Sequence, residues 1–368
     1  MKRSILFIIC IMVMFSSAVS YGTELGLSGE AYILMDADSG RVLVEKNSHN
    51  KMGMASTTKI MTALVAIENG NLDSKVAVDE KSIGIEGSSI YLKPGEVIPL
   101  RDLLYGLMLR SGNDSAVAIA NFIGKDEETF LKMMNDKAKK IGARDTSFQN
   151  PHGLDAPDHY STAYDLALIT REAIKHEEFN KIFGSKAYRA NRVQDNYFVN
   201  KNKALWEYNG GDGGKTGYTM RTGRCLVSTA TRNNIRLIAV SLKASNWFND
   251  NYKLFDYGFE NYKPYLIYDK NKLFSKVVVA DGVKNEMPLV TDNELFYPLK
   301  EDEVDRIKIN IVKPGNITAP VAKDSVIGSV ETYLDGVLIK KDNLIAKFDL
   351  NKKSFIDKLL EKITSIIG

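Results

Sequence analysis

Cysteine is almost absent: Cys10 and Cys225 are the only two in 368 residues. Cys10 lies inside an apolar N-terminal run, so removal of that run leaves Cys225 alone and no internal disulfide is open to the chain. Cys225 itself falls in the apolar stretch "CLVSTAT", where a thiol is expected as buried filler and not as a nucleophile. Histidine is scarce as well, with four. No His-Glu-x-x-His and no spaced Cys/His set occurs, so neither a metal nor another cofactor is expected. "DADSG" at 36–40 opens like a calcium loop but lacks the remaining ligands, and reads as a hairpin turn. Net charge is slight, +3 from 49 basic and 46 acidic residues. With no basic stripe interleaved with aromatics, nucleic acid is excluded as a partner. Internal repeats and low-complexity segments are missing too. The remainder, 44% hydrophobic and 26% charged residues, is ordinary for a globular chain long enough for more than one domain.

The N-terminus does carry a long apolar run. Lys2 and Arg3 precede "SILFIICIMVMFSSAVS", which closes on Ala18-Val19-Ser20. A basic segment, an apolar segment and small residues at the end make residues 1–20 an expected signal peptide of an exported protein. The uncharged stretch nearly reaches spanning length, so an uncleaved anchor is the rival reading. Ser16, Ser17 and Ser20 dilute its end and favour cleavage.

Beyond the leader, "AYILMDADSGRVLVEKN" reads as strand, turn, strand. From Ser56 to Glu68 the pattern becomes helical, with Ile60, Leu64 and Ile67 on one face. Further helices are expected around 100–110, 114–123, 126–141 (capped by Asp126 and ended by Gly142) and 162–176 (capped by Ser161). After about residue 195 the strand pattern returns and runs to about 243. A sheet built from both ends of a region, with helices inserted, predicts one α/β domain over 25–262. Short strands with glycine turns then predict a small all-β domain over 264–348. In "NKKSFIDKLLEKITSIIG", Phe355, Ile356, Leu359, Leu360, Ile363, Ile366 and Ile367 share one helical face, so 352–367 reads as an amphipathic helix. Short and charged throughout, it is expected to lie in a membrane interface and not to span it.

The glycines, Lys215 and Thr216 of "GGDGGKTGYT" (210–219) imitate a phosphate-binding loop. That loop needs a glycine, four residues, then Gly-Lys-Ser/Thr and a helix. The first glycine would fall on Asn209, and the next segment of chain is a strand hairpin, "CLVSTAT" and "RLIAVSL" joined at "RNN". A phosphate has no helix N-terminus to sit on there. Two other short motifs precede it in order, "STTK" at 56–59 and "SGN" at 111–113. Each is weak alone: Ser48 to Lys51 repeats the first spacing, and "RTG" at 221–223 imitates "KTG". Context separates them, since Ser56 stands at a helix start and Lys59, three residues on, shares its face. A serine hydroxyl needs a neighbouring base, and a lysine serves when burial or nearby positive charge lowers its pKa. Ser111 is then a candidate proton relay and Asn113 a candidate holder of a substrate amide. Lys215 and Thr216 offer a charge and a hydroxyl to a carboxylate.

This trio occurs in β-lactamases and penicillin-binding proteins. The wider sequence resembles the serine-type D-alanyl-D-alanine carboxypeptidases, the low-molecular-mass penicillin-binding proteins. The likeness runs through "ASTTKIMTAL", "LKPGEVIPLRDLLYGLMLRSGNDSAVAIA", "NPHGLDAPDHYSTAYDLA" and "DGGKTGYT", then the β-domain and tail. It implies a β-lactamase/transpeptidase-like α/β domain, with an antiparallel sheet and a helical subdomain, ahead of the β-domain. It also implies catalytic Ser56, Lys59 and Ser111, and substrate binding by Asn113, Lys215, Thr216, Gly217, Tyr218 and Thr219. The backbone N–H groups of Ser56 and Tyr218 would form the oxyanion hole. The implied substrate is the peptidoglycan pentapeptide stem, with β-lactam antibiotics as covalent inhibitors and the tail on the outer face of the cytoplasmic membrane. The chain departs from the family at Met54 (often proline), Gly214 (often apolar) and Arg224 (usually aromatic). Lys201 matches a position where some relatives carry arginine near the substrate carboxylate. A β-lactamase and a binding protein without turnover are the alternatives, and labelled penicillin separates all three: stable label, rapid turnover or none.

Overall fold

The structure, a computed structural model, describes residues 25–360 except Lys358. The expected leader (1–20) and the end of the expected tail helix (361–367) lie outside the described residues. The first sheet is built as its sequence pattern requires. β1 (Ala31–Asp36) and β2 (Val42–Lys46) form one hairpin at the "DADSG" turn, where Asp36 Oδ1 accepts from Ser39 N at 2.8 Å. β3 (Lys75–Ala77) and β4 (Val97–Pro99) make a small ribbon, as do β5 (Ala187–Arg189) and β6 (Tyr197–Val199). β7 (Gly211–Thr219), β8 (Gly223–Arg232) and β9 (Ile235–Leu242) complete the main sheet in the order β2-β1-β9-β8-β7, antiparallel throughout.

Successive residues of a strand face opposite sides, and in β1 both sides are buried. Ala31, Ile33 and Met35 enter one core, Tyr32 and Leu34 the other. The first core lies under α1 (Lys59–Asn69), α2 (Leu100–Leu109), α3 (Asn113–Gly124), α4 (Glu127–Lys140), α5 (Ala163–Ala173) and α6 (Glu177–Phe183). α1 is buried nearly all round, Met61 and Val65 included, because it runs between the sheet and the helical lobe. The single apolar face read from Ile60, Leu64 and Ile67 understates it. Asp126 caps α4 as expected, accepting from Thr129 N at 2.7 Å, and Gly142 at φ +88 follows its end. The α5 cap is Thr162, not Ser161: Thr162 Oγ1 accepts from Asp165 N at 2.9 Å while Ser161 Oγ meets Thr146 Oγ1.

The expected run of strands after residue 195 is interrupted by α7 (Ala204–Glu207) and followed by α8 (Trp247–Asn261). α8 buries Asp250, Asn251, Leu254, Phe255 and Gly258, a helical spacing that short polar residues disguise. It closes the second core, where a Cβ on Gly258 would stand 2.5 Å from Leu237 Cδ1.

From β10 (Lys263–Tyr268) to residue 346 the chain is strand and turn, with one 3-10 turn at Glu301–Arg306. β10 pairs with β13 (Leu295–Leu299). β11 (Leu273–Ala280), β12 (Glu286–Thr291), β14 (Ile307–Val312), β15 (Asn316–Thr318), β16 (Val326–Leu334) and β17 (Val337–Ala346) form a second sheet, ordered β14-β16-β17-β12-β11-β15. This unit has its own core around Val277, Val279, Met287, Leu289 and Leu344. Arg41 joins it to the first unit. Its guanidinium meets both carboxylate oxygens of Glu303 at 2.5 and 2.9 Å and lies over the Tyr262 and Tyr297 rings.

Candidate active site

Ser56 lies in a 3-10 turn, Ala55–Thr58, that leads into α1. Lys59 is the first residue of the helix proper and is completely buried. Its Nζ is 3.0 Å from Ser56 Oγ, 2.7 Å from Asn113 Oδ1 and 2.5 Å from the carbonyl oxygen of His152. Burial lowers its pKa well below the lysine range, and the charge of Lys215 lowers it further. A neutral amine has two N–H groups and one lone pair. Asn113 Oδ1 and the His152 carbonyl can only accept, so they take both N–H groups. The lone pair is left for the Ser56 hydroxyl, the arrangement a general base requires.

Asn113 keeps its oxygen towards Lys59 because its Nδ2 donates to the Glu86 carbonyl at 2.5 Å. Ser111, two residues earlier, sits at φ +61 ahead of α3, and Ala55 beside the serine at φ +46. Left-handed backbone at a non-glycine residue costs about 1–3 kcal/mol and clusters at functional sites. Ser111 Oγ is 3.0 Å from Lys215 Nζ, which also donates to the Thr216 carbonyl at 2.7 Å. Lys215 is buried too, and desolvation with the nearby charge of Lys201 lowers its pKa to about 7. Lys201 thus stands close enough to act on the group expected to meet a carboxylate.

Strand β7 carries Lys215, Thr216, Gly217, Tyr218 and Thr219 along one edge of the cleft. Gly217 is needed by space: a Cβ there would lie 2.9 Å from Ser56 N and 3.0 Å from both Met54 O and Thr57 N. This backbone-to-backbone approach sets the serine turn directly against β7, next to Tyr218. Gly214 has a different reason. A Cβ would meet Asn202 Nδ2 at 1.8 Å, so the Asn202 side chain occupies the room that an apolar residue would fill. Arg224 points away from the cleft, donating to Ser245 O at 2.8 Å.

His152 contributes through its carbonyl and not through its ring. Its ring pKa is lowered to about 3 by burial and then by Lys59, and the ring makes no bond to the serine. The loop that presents the carbonyl is tied by Asn150, whose Oδ1 accepts from Gly153 N at 2.6 Å and whose Nδ2 donates to Leu154 O at 2.9 Å. Gly153, at φ +93, has the Ala55 carbonyl where a Cβ would go. The segment Asn150 to Leu154 was the available signal, since an Asn-Pro followed by His-Gly marks a held turn. His159 is a structural hydrogen-bonder, with Nδ1 accepting from Gln149 N at 3.0 Å and Nε2 2.9 Å from Thr58 Oγ1. Ser48 is buried against Glu45, away from the cleft. Cys225 is fully buried and burial pushes its thiol up to about 12, so it is no nucleophile. Among the described residues no three His, Cys, Asp or Glu side chains gather as a metal site.

A sheet with Ser-x-x-Lys at a helix start, Ser-x-Asn on the facing lobe and Lys-Thr-Gly on the edge strand defines the site of a serine hydrolase. The family model for D-alanyl-D-alanine carboxypeptidases matches residues 19–246, and that for the C-terminal domain of penicillin-binding protein 5 matches 262–352. The chain belongs to the D-alanyl-D-alanine carboxypeptidase family of serine peptidases. It is 36% identical to the D-alanyl-D-alanine carboxypeptidase DacF of Bacillus subtilis, over 91% of this chain and 89% of that one. It is 33% identical to DacC of Escherichia coli, over 90% and 87%. The structure of penicillin binding protein 5 from Haemophilus influenzae superposes with a TM-score of 0.75 at 31% identity, over 89% of this chain and 98% of that one.

Proposed function

We propose that this enzyme removes the terminal D-alanine from peptidoglycan pentapeptide stems through an acyl-enzyme on Ser56, and that penicillin acylates the same oxygen. The observation that carries this is the buried Lys59 amine, with both N–H groups engaged by acceptors and Ser56 Oγ at 3.0 Å. The substrate's terminal carboxylate meets Lys215 and Thr216. Ser56 Oγ attacks the carbonyl of the penultimate D-alanine as its proton passes to Lys59, and the oxyanion is held by the N–H groups of Ser56 and Tyr218. The proton then reaches the departing D-alanine nitrogen with the Ser111 hydroxyl as relay, and the C–N bond breaks. Water attacks the ester, its proton returns through Lys59 to Ser56 Oγ, and the shortened stem leaves. Among the described residues no carboxylate hydrogen-bonds Ser56, Lys59, Ser111 or Lys215. Stable penicillin labelling is the expected result. The deciding assay is free D-alanine released from a diacyl-D-Ala-D-Ala peptide; none released by the folded enzyme would refute the reading.

The two lysines set a pH profile. Lys59 works neutral, so activity falls on the acid side as it takes a proton. Lys215 binds a carboxylate only when charged, so in the free enzyme that affinity fades as pH rises through about 7. A bound carboxylate raises the Lys215 pKa, as an opposite charge does. Hence kcat/KM for the acid substrate should fall above about pH 7, with the kcat limb displaced upward. An amidated D-Ala-D-Ala peptide should react at least roughly tenfold more slowly near neutrality, for want of a charge-assisted bond, and should show no such alkaline limb. Equal rates and profiles for acid and amide would remove Lys215 from carboxylate binding.

We place the enzyme on the extracytoplasmic face of the cell membrane, after removal of residues 1–20, held by the tail over 352–367. Phe355, Ile356, Leu359 and Leu360 support this, standing exposed on the described part of the tail instead of packing on the β-domain. Burying one such side chain is worth roughly 1.5–3 kcal/mol. Lys352 and Lys353 still bond the β-domain at Gly282 and Asp281, so the informative truncation ends after Lys353. It is expected to yield a folded, active enzyme in the soluble fraction. A truncated protein that stays with the membrane after confirmed leader cleavage sinks the tether.

A further inference from the structure

At the β7–β8 turn, beyond the reacting groups, lies a polar cavity of about 390 Å³ that the chemistry above does not use. Its walls come from the segment before Ser56 (Lys51, Met52, Gly53), the loop after His152 (Asp155 to Tyr160), the β7–β8 turn (Arg221, Thr222) and the strand ends at Glu30 and Lys243. Most of its charges are spoken for. Lys243 pairs with Glu30 at 2.7 Å, Lys51 with Asp145 at 3.3 Å, and Asp155 accepts from Thr222 Oγ1 at 2.8 Å. Arg221 and Asp158 differ. Both are exposed, and neither side chain has a hydrogen bond or ion pair among the described residues. Asp158 is held at φ +59 in a loop fixed by the bond of His159 to Thr58. One free cation and one free anion thus face the same cavity.

The direction of β7 says which part of a substrate reaches it. Resting on the proposed D-Ala-D-Ala reading, the terminal carboxylate lies at Lys215 and Thr216, and the scissile carbonyl lies three residues further along at Tyr218. Continuing the same way, a bound peptide's N-terminal part passes exposed Tyr218 and Met220 and arrives at the β7–β8 turn. At about 3.3 Å per strand residue, Arg221 is roughly 10 Å beyond Tyr218 at most. One residue plus a long side chain covers that span.

We propose that this cavity is the subsite for the side chain of the residue preceding D-Ala-D-Ala, and that it selects a long side chain ending in a zwitterion, with ammonium and carboxylate on one carbon. Arg221 takes the carboxylate by its fork of donors, and Asp158 takes the ammonium. A side chain ending in an ammonium alone satisfies Asp158 and leaves Arg221 idle.

The test compares D-alanine release from three X-D-Ala-D-Ala peptides, with X a diaminodicarboxylic acid bearing a free terminal zwitterion, lysine, or norleucine. A charge-assisted bond at a part-exposed site is expected to raise kcat/KM roughly tenfold for the zwitterion over lysine, chiefly through KM. Arg221→Gln should bring the zwitterion-to-lysine ratio to about one. Asp158→Asn should narrow the gap between lysine and norleucine. Three equal wild-type kcat/KM values, or a zwitterion preference that survives Arg221→Gln, overturn the subsite while leaving the carboxypeptidase reading standing. Release of D-alanine from none of the three removes both.

Discussion

Ser56→Ala is expected to abolish covalent penicillin labelling and to lower D-alanine release by about 10³–10⁶-fold, with the fold unchanged. The size comes from covalent catalysis: residues that act as one unit lose nearly everything together, and only binding and oxyanion stabilisation persist. Lys59→Met should be comparably inactive, because Ser56 Oγ then has no base within reach, and the double variant should be little worse than either single one. Stability separates the two. Ser56 is only half-buried, and its loss leaves the Lys59 lone pair without a donor, a small cost. Lys59→Met leaves the Asn113 Oδ1 and His152 carbonyl acceptors unmatched, at about 1–3 kcal/mol for each buried group left without a partner. Removing a buried amine offsets part of that. Circular dichroism and a melting curve establish the fold, and labelled penicillin with intact-mass analysis locates the ester. A label on the Ser56→Ala protein would move the nucleophile elsewhere.

The strands were legible where burial is simple. β1 and β9 lie between two apolar layers, so their sequences are nearly continuous apolar runs bounded by turn residues. α4 was legible through its caps, since Asp126 and Gly142 are local signals that need no knowledge of the rest of the chain. α8 was not, because its buried face includes Asp250 and Asn251. Asp250 accepts from Ser28 N and Oγ, and Asn251 is bonded to Ser228 and Ala239. Polar residues that are satisfied only by distant partners break an apolar periodicity that would otherwise show. Much the same holds for α1, whose second face is buried by a helical lobe later in the chain.

The site divides along a similar line. Ser56, Lys59, Ser111, Asn113 and Lys215 could be singled out because their chemistry resides in side chains at short spacings. The partners that put Lys59 to use are carbonyls, of His152 and, through Asn113, of Glu86. A main-chain oxygen has the same identity at every residue, so no spacing in the sequence marks the one that will face a buried amine. The free charges at Arg221 and Asp158 escape for another reason. "RTG" reads in the sequence only as an imitation of "KTG", and the significance of its arginine depends on a cavity assembled from five separate segments.

Gly217→Ala should be the most damaging conservative change in the cleft, with kcat lowered by about 10²–10³-fold, the range associated with loss of an oxyanion donor. The new methyl would press on Ser56 N, Met54 O and Thr57 N at 2.9–3.0 Å. All three are backbone atoms of a turn already pinned by Ala55 at φ +46 and by Gly153 behind it. None can rotate aside, so the strand and the serine turn must separate, and the N–H groups of Ser56 and Tyr218 proposed to hold the oxyanion are drawn apart. Lys215 and Thr216 lie before the contact on β7, so KM for the acid substrate should change by less than about threefold, under 1 kcal/mol. Overpacking of this size costs about 1–3 kcal/mol of stability, enough to lower the melting temperature without unfolding the protein. Gly214→Ala is the control on the same strand. Its Cβ meets first the Asn202 side chain, at 1.8 Å, and a side-chain amide can turn away where a backbone cannot. It should therefore lose stability with a much smaller loss of kcat. A Gly217→Ala enzyme that melts lower yet retains full kcat would mean that the oxyanion is not held between β7 and the Ser56 turn.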